Sequence, residues 1–175
     1  MISGPLQGAL LTMLAKLVRP RTVLEIGTFT GYSALCLAEG LDAEGSLHTI
    51  ELDESLRDIA TRYFTQSEHA AKIHQHFGRA QDIIPSLPGP FDLIFLDADK
   101  KGYSDYLNLC LPLMPSGGLL LADNVQFRSE VLLPQEEQPP IARAIHVFNQ
   151  QVAADPRVEC VILPLRDGLS LIRKV

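Results

Sequence analysis

The sequence is poor in the groups that would tie it to a special environment. Its 175 residues include three cysteines, Cys36, Cys110 and Cys160, widely spaced and without a C-x-x-C pair. Neither a disulfide framework nor a thiolate zinc site is readable, and cysteine among apolar neighbours behaves as a small hydrophobe. Positive charge is also short: 15 basic against 21 acidic residues give a net charge of -6 and a pI near 5.3. Nucleic acid and anionic membranes both need a basic face, so neither is an expected partner. The first residues, Met1-Ile2-Ser3-Gly4-Pro5, lack the charged and apolar regions of a signal peptide. The longest uncharged stretch, Tyr106 to Ala122, is broken by Pro112, Pro115, Gly117 and Gly118, so it reads as helix, turn and strand rather than a membrane span. Repeats and low-complexity linkers are absent, and a reducing cytoplasm is the expected location.

What is present is ordinary globular material, 46% apolar and 21% charged, in a length that suits one domain. Short apolar runs at Thr22–Ile26, Ser46–Glu51, Ile73–Phe77, Phe91–Asp97 and Gly118–Asp123 alternate with helical patterns. Those patterns fall at Tyr32–Glu39, Glu54–Phe64, Gln81–Leu87, Tyr103–Leu113 and Ile141–Ala154, and Asp53 is placed to cap the second. Continuous apolar strands suit a parallel sheet covered on both faces. Val158–Leu163 and Leu169–Val175 flank a five-residue turn ending in Gly168, which predicts a hairpin. The expected fold is α/β: an open, doubly wound, Rossmann-like sheet of seven strands, mostly parallel, with an antiparallel last strand.

In such sheets ligands bind at the carboxyl ends of the strands. The first βα turn is Glu25-Ile26-Gly27-Thr28-Phe29-Thr30-Gly31-Tyr32-Ser33. Gly27 permits a sharp turn, and free backbone N–H groups with the Ser33 hydroxyl suit a carboxylate. Glu51, at the end of the second strand, is placed to accept the hydroxyls of a ribose. An ordinary βα turn and a nicotinamide dinucleotide site share this architecture. A dinucleotide, however, needs glycine where Phe29 stands, so that the backbone can meet a pyrophosphate. The pattern favours S-adenosylmethionine (SAM), a nucleoside with an amino-acid tail.

Asp97 closes the fourth strand and Asp123-Asn124 the fifth. If those strands pair in parallel, their ends gather two carboxylates and an amide beside the cofactor. Hard oxygen donors suit Mg²⁺, or alternatively Ca²⁺ or Mn²⁺; helix capping and a turn are the plainer roles for the same residues. Lys100 is within reach of that cluster and is the candidate base. His74 and His76 share one strand face by alternation, but no third ligand is readable. They read as structural, and His48, His69 and His146 as isolated.

These residues carry a resemblance. Leu24–Ser33, Leu96-Asp97-Ala98-Asp99-Lys100, Asp123-Asn124-Val125, Phe148-Asn149, Asp155–Val158 and Leu163–Leu169 together resemble the cation-dependent O-methyltransferases of the caffeoyl-CoA and catechol type. The resemblance implies that Glu25, Gly27, Thr28, Ser33 and Glu51 line the SAM site. It implies Ala80 and Gln81 beside the adenine, Asp99 facing the cofactor, and Ser3 touching it from the amino-terminal segment. Phe29 and Asp97, in the loop and at the shared crevice, join this set. By the same resemblance Asp97, Asp123 and Asn124 bind the metal and Lys100 is the general base. The acceptor would be a small hydroxylated molecule, catechol-like or polyphenolic, and the protein a homodimer. Asn149 carries no role that can be derived.

Two departures qualify the likeness. Relatives carry further amino-terminal helices over the acceptor, so residues 1–175 are expected to form one methyltransferase domain without that cap. Ser129-Glu130 stands where relatives have Gly-Arg, an acid that disfavours anionic tails such as that of coenzyme A. Two alternatives remain at this stage: a SAM-binding module with lost or weak catalysis, and an NAD-dependent oxidoreductase.

Overall fold

A computed structural model describes residues 3–175. Seven strands, β1 (Thr22–Ile26), β2 (Ser46–Glu51), β3 (Ile73–Phe77), β4 (Leu93–Leu96), β5 (Leu119–Asp123), β6 (Val158–Leu163) and β7 (Leu169–Lys174), form one sheet in the order β3-β2-β1-β4-β5-β7-β6. The first five pair in parallel, and β7 runs antiparallel to both β5 and β6. Strand order reverses between β1 and β4, which makes their carboxyl ends the expected ligand crevice.

Alternation along the strands divides the core into two layers. Val23, Leu47, Leu93, Phe95 and Leu121 pack under α1 (Gly4–Val18), α2 (Tyr32–Ala38) and α3 (Arg57–Thr65). Leu24, Ile26, Ile94, Leu96 and Leu120 pack under α4 (Ala80–Ile83), α5 (Tyr103–Cys110) and α6 (Pro140–Ala154). Asp53 caps the 3₁₀ turn before α3 by accepting from the Ser55 N–H, as its position predicts. The predicted third and fourth helices each tighten into a 3₁₀ turn that holds a proline, Pro85 and Pro112.

Helix α1 precedes every element that periodicity assigns. Its sequence, GPLQGALLTMLAKLV, holds one charged residue, Lys16, so apolar and polar positions do not contrast around the helix. Leu11 and Ala15 face the core, while Leu6, Met13 and Leu17 are exposed.

Gly31 shows how tightly the first βα turn is fixed. It has φ +86, and a Cβ there would stand 2.6 Å from the Phe64 ring. Glu25 is the one carboxylate placed wholly inside the sheet among the described residues, at 0% exposure. It lies in register with Thr49, whose hydroxyl donates to its Oε2 at 2.6 Å. Burial pushes this carboxyl up to about 8, partly offset by the Ser33 and Thr49 hydroxyls.

Two outcomes follow from these positions. Gly31→Ala should destabilise by about 2 kcal/mol or more in urea unfolding, from left-handed strain plus the ring contact. Gly117→Ala, at φ +83 with only Arg173 Nη2 at 3.8 Å, should lose only the strain, roughly 1 kcal/mol. For Glu25, a raised folded pKa means stability is complete below about 4.5, the ordinary value, and declines as pH climbs towards about 8. Glu25→Gln should therefore gain on the unmodified protein by about 2 kcal/mol between pH 5 and pH 7. Unfolding curves of the two proteins that stay parallel with pH would contradict this.

Candidate active site

A cavity of about 930 Å³ opens at the carboxyl ends of β1, β2 and β4. Its floor is the loop after β1. Gly27 has φ +104, and a Cβ there would stand 2.2 Å from the Asp97 carbonyl oxygen, so only glycine lets the two strand tips approach. The Gly27 and Thr28 N–H groups donate back to the Ile50 carbonyl and fasten the loop to β2. Thr28 is buried, its hydroxyl paired with that of Thr49, which continues the chain to Glu25.

Glu51 ends β2 with both carboxylate oxygens oriented: Oε2 accepts from the Phe29 N–H at 2.8 Å and Oε1 from the Asp53 N–H at 2.9 Å. Each oxygen keeps lone-pair capacity facing the cavity. Phe29 is 41% exposed and holds φ +48, a left-handed conformation that turns its ring to the cavity rather than into the core.

The opposite wall comes from β4 and β5. Lys100 Nζ donates to Asp97 Oδ1 at 2.6 Å and to the Tyr103 hydroxyl at 2.7 Å. That hydroxyl is fully buried and lies 3.0 Å from the Leu96 carbonyl and 2.9 Å from the Asp123 carbonyl. One phenol thus spans the tips of β4 and β5 and anchors the lysine. Burial pushes the phenol's pKa well up, so it stays a donor. Asp123 Oδ2 accepts from Gln7 Nε2 of α1 at 2.7 Å, and Oδ1 from the Asn124 N–H at 2.8 Å. Burial first, then the Asp97 charge, raises the Asp123 carboxyl. Two neighbouring carboxylates with an amide alongside form a donor set that suits a hard divalent cation.

Most of the residues singled out by sequence meet at this cavity. Ser3, Gly27, Thr28, Phe29, Ser33 and Glu51 line one side; Ala80, Gln81, Asp97, Asp99, Lys100 and Asn124 line the rest. Met1 and Ile2 of the amino-terminal segment lie outside the described residues. Two of the expected residues stand behind the wall. Glu25 points away from Leu24 and Ile26 by strand alternation, into the layer beneath the loop. Asp123, 3% exposed, sits behind Asn124.

Other contributors have no sequence signal. Gln7 and Tyr103 act on partners 116 and 20 residues away, through a carboxylate and a backbone carbonyl. Arg128 and Asp167 join the cavity wall, and the Arg128 N–H donates to Asp167 Oδ1. Asn149, a residue without a derivable role, donates to the Val125 carbonyl at 2.8 Å and steadies the chain just after Asn124. Glu130 is not among the cavity residues.

Comparison with known proteins agrees with this geometry. The sequence model of the O-methyltransferase family matches residues 1–175. The chain is 34% identical over 177 residues to a catechol O-methyltransferase of Niastella koreensis, covering 96% of itself and 80% of that protein. It is 34% identical over 186 residues to tricin synthase 2 of Oryza sativa subsp. japonica, covering 100% of itself but only 64% of that relative. With caffeoyl-CoA O-methyltransferase 1 of Eucalyptus globulus it shares 32% identity over 181 residues, covering 97% of itself and 73% of that protein. The crystal structure of the O-methyltransferase TomG from Streptomyces achromogenes, in complex with SAM, superposes with a TM-score of 0.92 at 33% identity, over 98% of this chain and 81% of that one. A match that runs the whole length of the sequence makes this chain a member of the O-methyltransferase family.

Proposed function

We propose that the protein transfers the methyl group of SAM to a hydroxyl of a small, catechol-like acceptor, assisted by a divalent cation. The observation that carries the reading is one cavity in which the β1 loop and Glu51 face the Asp97–Lys100 pair. The loop after β1, whose Gly27, Thr28 and Phe29 N–H groups are tied to β2, and the Ser33 hydroxyl would border the amino-acid end of SAM, and Glu51 would hold its ribose. Ala80 and Gln81 would border the base. SAM supplies an electrophilic methyl carbon on sulfur, released as a thioether when the bond to oxygen forms.

Asp97, Asp123 and Asn124 would hold the cation, with Mg²⁺ the expected ion and Ca²⁺ or Mn²⁺ the alternatives. Such an ion supplies Lewis-acid stabilisation of an ionised hydroxyl. Lys100 receives the hydroxyl proton at Nζ. Asp97 and Tyr103 fix that nitrogen at 2.6 and 2.7 Å, so the base does not have to search for its position. Gln7 and the Asn124 N–H hold both Asp123 oxygens in place. Phe127 and Arg128 would border the acceptor side, while Tyr106, which bonds Gln81, would stand beside the base.

Calorimetry with SAM and with NAD, followed by turnover of a catechol with and without Mg²⁺, tests the reading. Binding of NAD in place of SAM would overturn it. Asp97→Ala should abolish the metal-stimulated part of the rate; a variant as fast as the unmodified protein, with or without chelator, would remove the cation from the reaction. Lys100→Met should lower kcat by about 10² to 10⁴ with the KM for SAM unchanged, the signature of a lost proton acceptor.

A further inference from the structure

Away from the cavity, three of the five histidines of the chain meet on one face of the sheet edge. The β2–β3 register sets His48 opposite His74 and Ile50 opposite His76, and residues two apart on a strand share a face. The His48 ring stacks 4.9 Å from His74 and 5.3 Å from His76, centroid to centroid. His48 Nδ1 and His76 Nε2 lie 3.1 Å apart. His74 is exposed and makes no hydrogen bond among the described residues. Thus the third ligand that is missing from the sequence of β3 is supplied by β2.

We propose that His48, His74 and His76 form a binding site for a divalent transition cation of the Zn²⁺ and Ni²⁺ class, separate from the acidic cluster of the cavity. Tetrahedral bonds of ~2.0–2.1 Å to imidazole place neighbouring nitrogens about 3.3 Å apart, close to the separation of His48 and His76. A cation then replaces the single proton shared between those two nitrogens. His74, exposed and stacked on His48, turns about its side-chain torsions to give the third nitrogen, and water completes the shell. Ligation needs neutral rings, which the surroundings favour at His48 and His76. Burial, then the His74 and His76 rings, lowers His48 to about 4, and burial followed by His74 lowers His76. Imidazole selects Zn²⁺, Ni²⁺ or Cu²⁺ and leaves Mg²⁺ to carboxylates. The site also bears on the cavity, since β2 ends in Glu51 and Gly78, a cavity residue, follows β3 directly.

A competing surface cluster gives the experiment its control. Ligand atoms of Glu39, Glu68 and His69 lie within 4.8 Å of one another, but Lys16 Nζ already stands 3.3 Å from Glu39. Ni²⁺ is titrated into the full chain by calorimetry under excess Mg²⁺, which saturates any site of oxygen donors. One equivalent should bind and raise Tm. His74→Gln and His76→Gln should each weaken binding at least tenfold; His74 is exposed, so its replacement leaves the fold intact, and Tm without metal verifies this. His69→Gln and Cys160→Ser should bind as the unmodified protein does. Unchanged affinity in both His74→Gln and His76→Gln, or loss in His69→Gln, overturns the proposal. Because the readout is metal binding and not turnover, the outcome is independent of the methyl-transfer reading.

Discussion

Everything at the cavity depends on how closely the carboxyl ends of β1, β4 and β5 approach one another. Parallel pairing brings Leu96 level with Ala122, so the next residues, Asp97 and Asp123, project from adjacent tips. A carbonyl and a carboxylate at each tip would repel one another across a dry gap. The Tyr103 hydroxyl relieves this by standing between the Leu96 and Asp123 carbonyls while it accepts from Lys100. On the other flank, the missing side chain of Gly27 lets β1 close against Asp97. The Asp97–Lys100 pair and the loop after β1 are therefore neighbours by backbone geometry.

The same geometry separates two uses of carboxylate in one small region. Glu25 sits beneath the loop, where a proton is the cheapest way to settle its charge. Glu51, at the end of the neighbouring strand, is held by two backbone N–H groups and lines the cavity. Both acids share one face of the sheet, since Glu51 lies two residues beyond Thr49, so position along the strand, inside it or at its carboxyl end, sets them apart.

The parts legible in the sequence were those written in local pattern. Buried parallel strands read as apolar runs because both their faces are covered, and β1, β4 and β5 fall where those runs do. The loop from Glu25 to Ser33 and the acids at the strand tips were readable because turn chemistry and strand ends are local too. Helix α1 was not, since a helix with one charged residue shows no contrast between its faces. Tyr103 escaped notice because its hydroxyl serves backbone carbonyls of two other elements, which leave no mark on residue type. His48 was read as isolated for a related reason: its neighbours are set by inter-strand register, which a single sequence does not specify.

Helix α1 has a larger part in the site than its plain composition suggests. Ser3, just before it, forms part of the cavity wall, and Gln7, on its first turns, steadies Asp123. Any force that lifts this helix from the sheet opens the pocket and releases an acid at one stroke. The seating of the amino-terminal helix and the shape of the pocket are thus set by the same contacts.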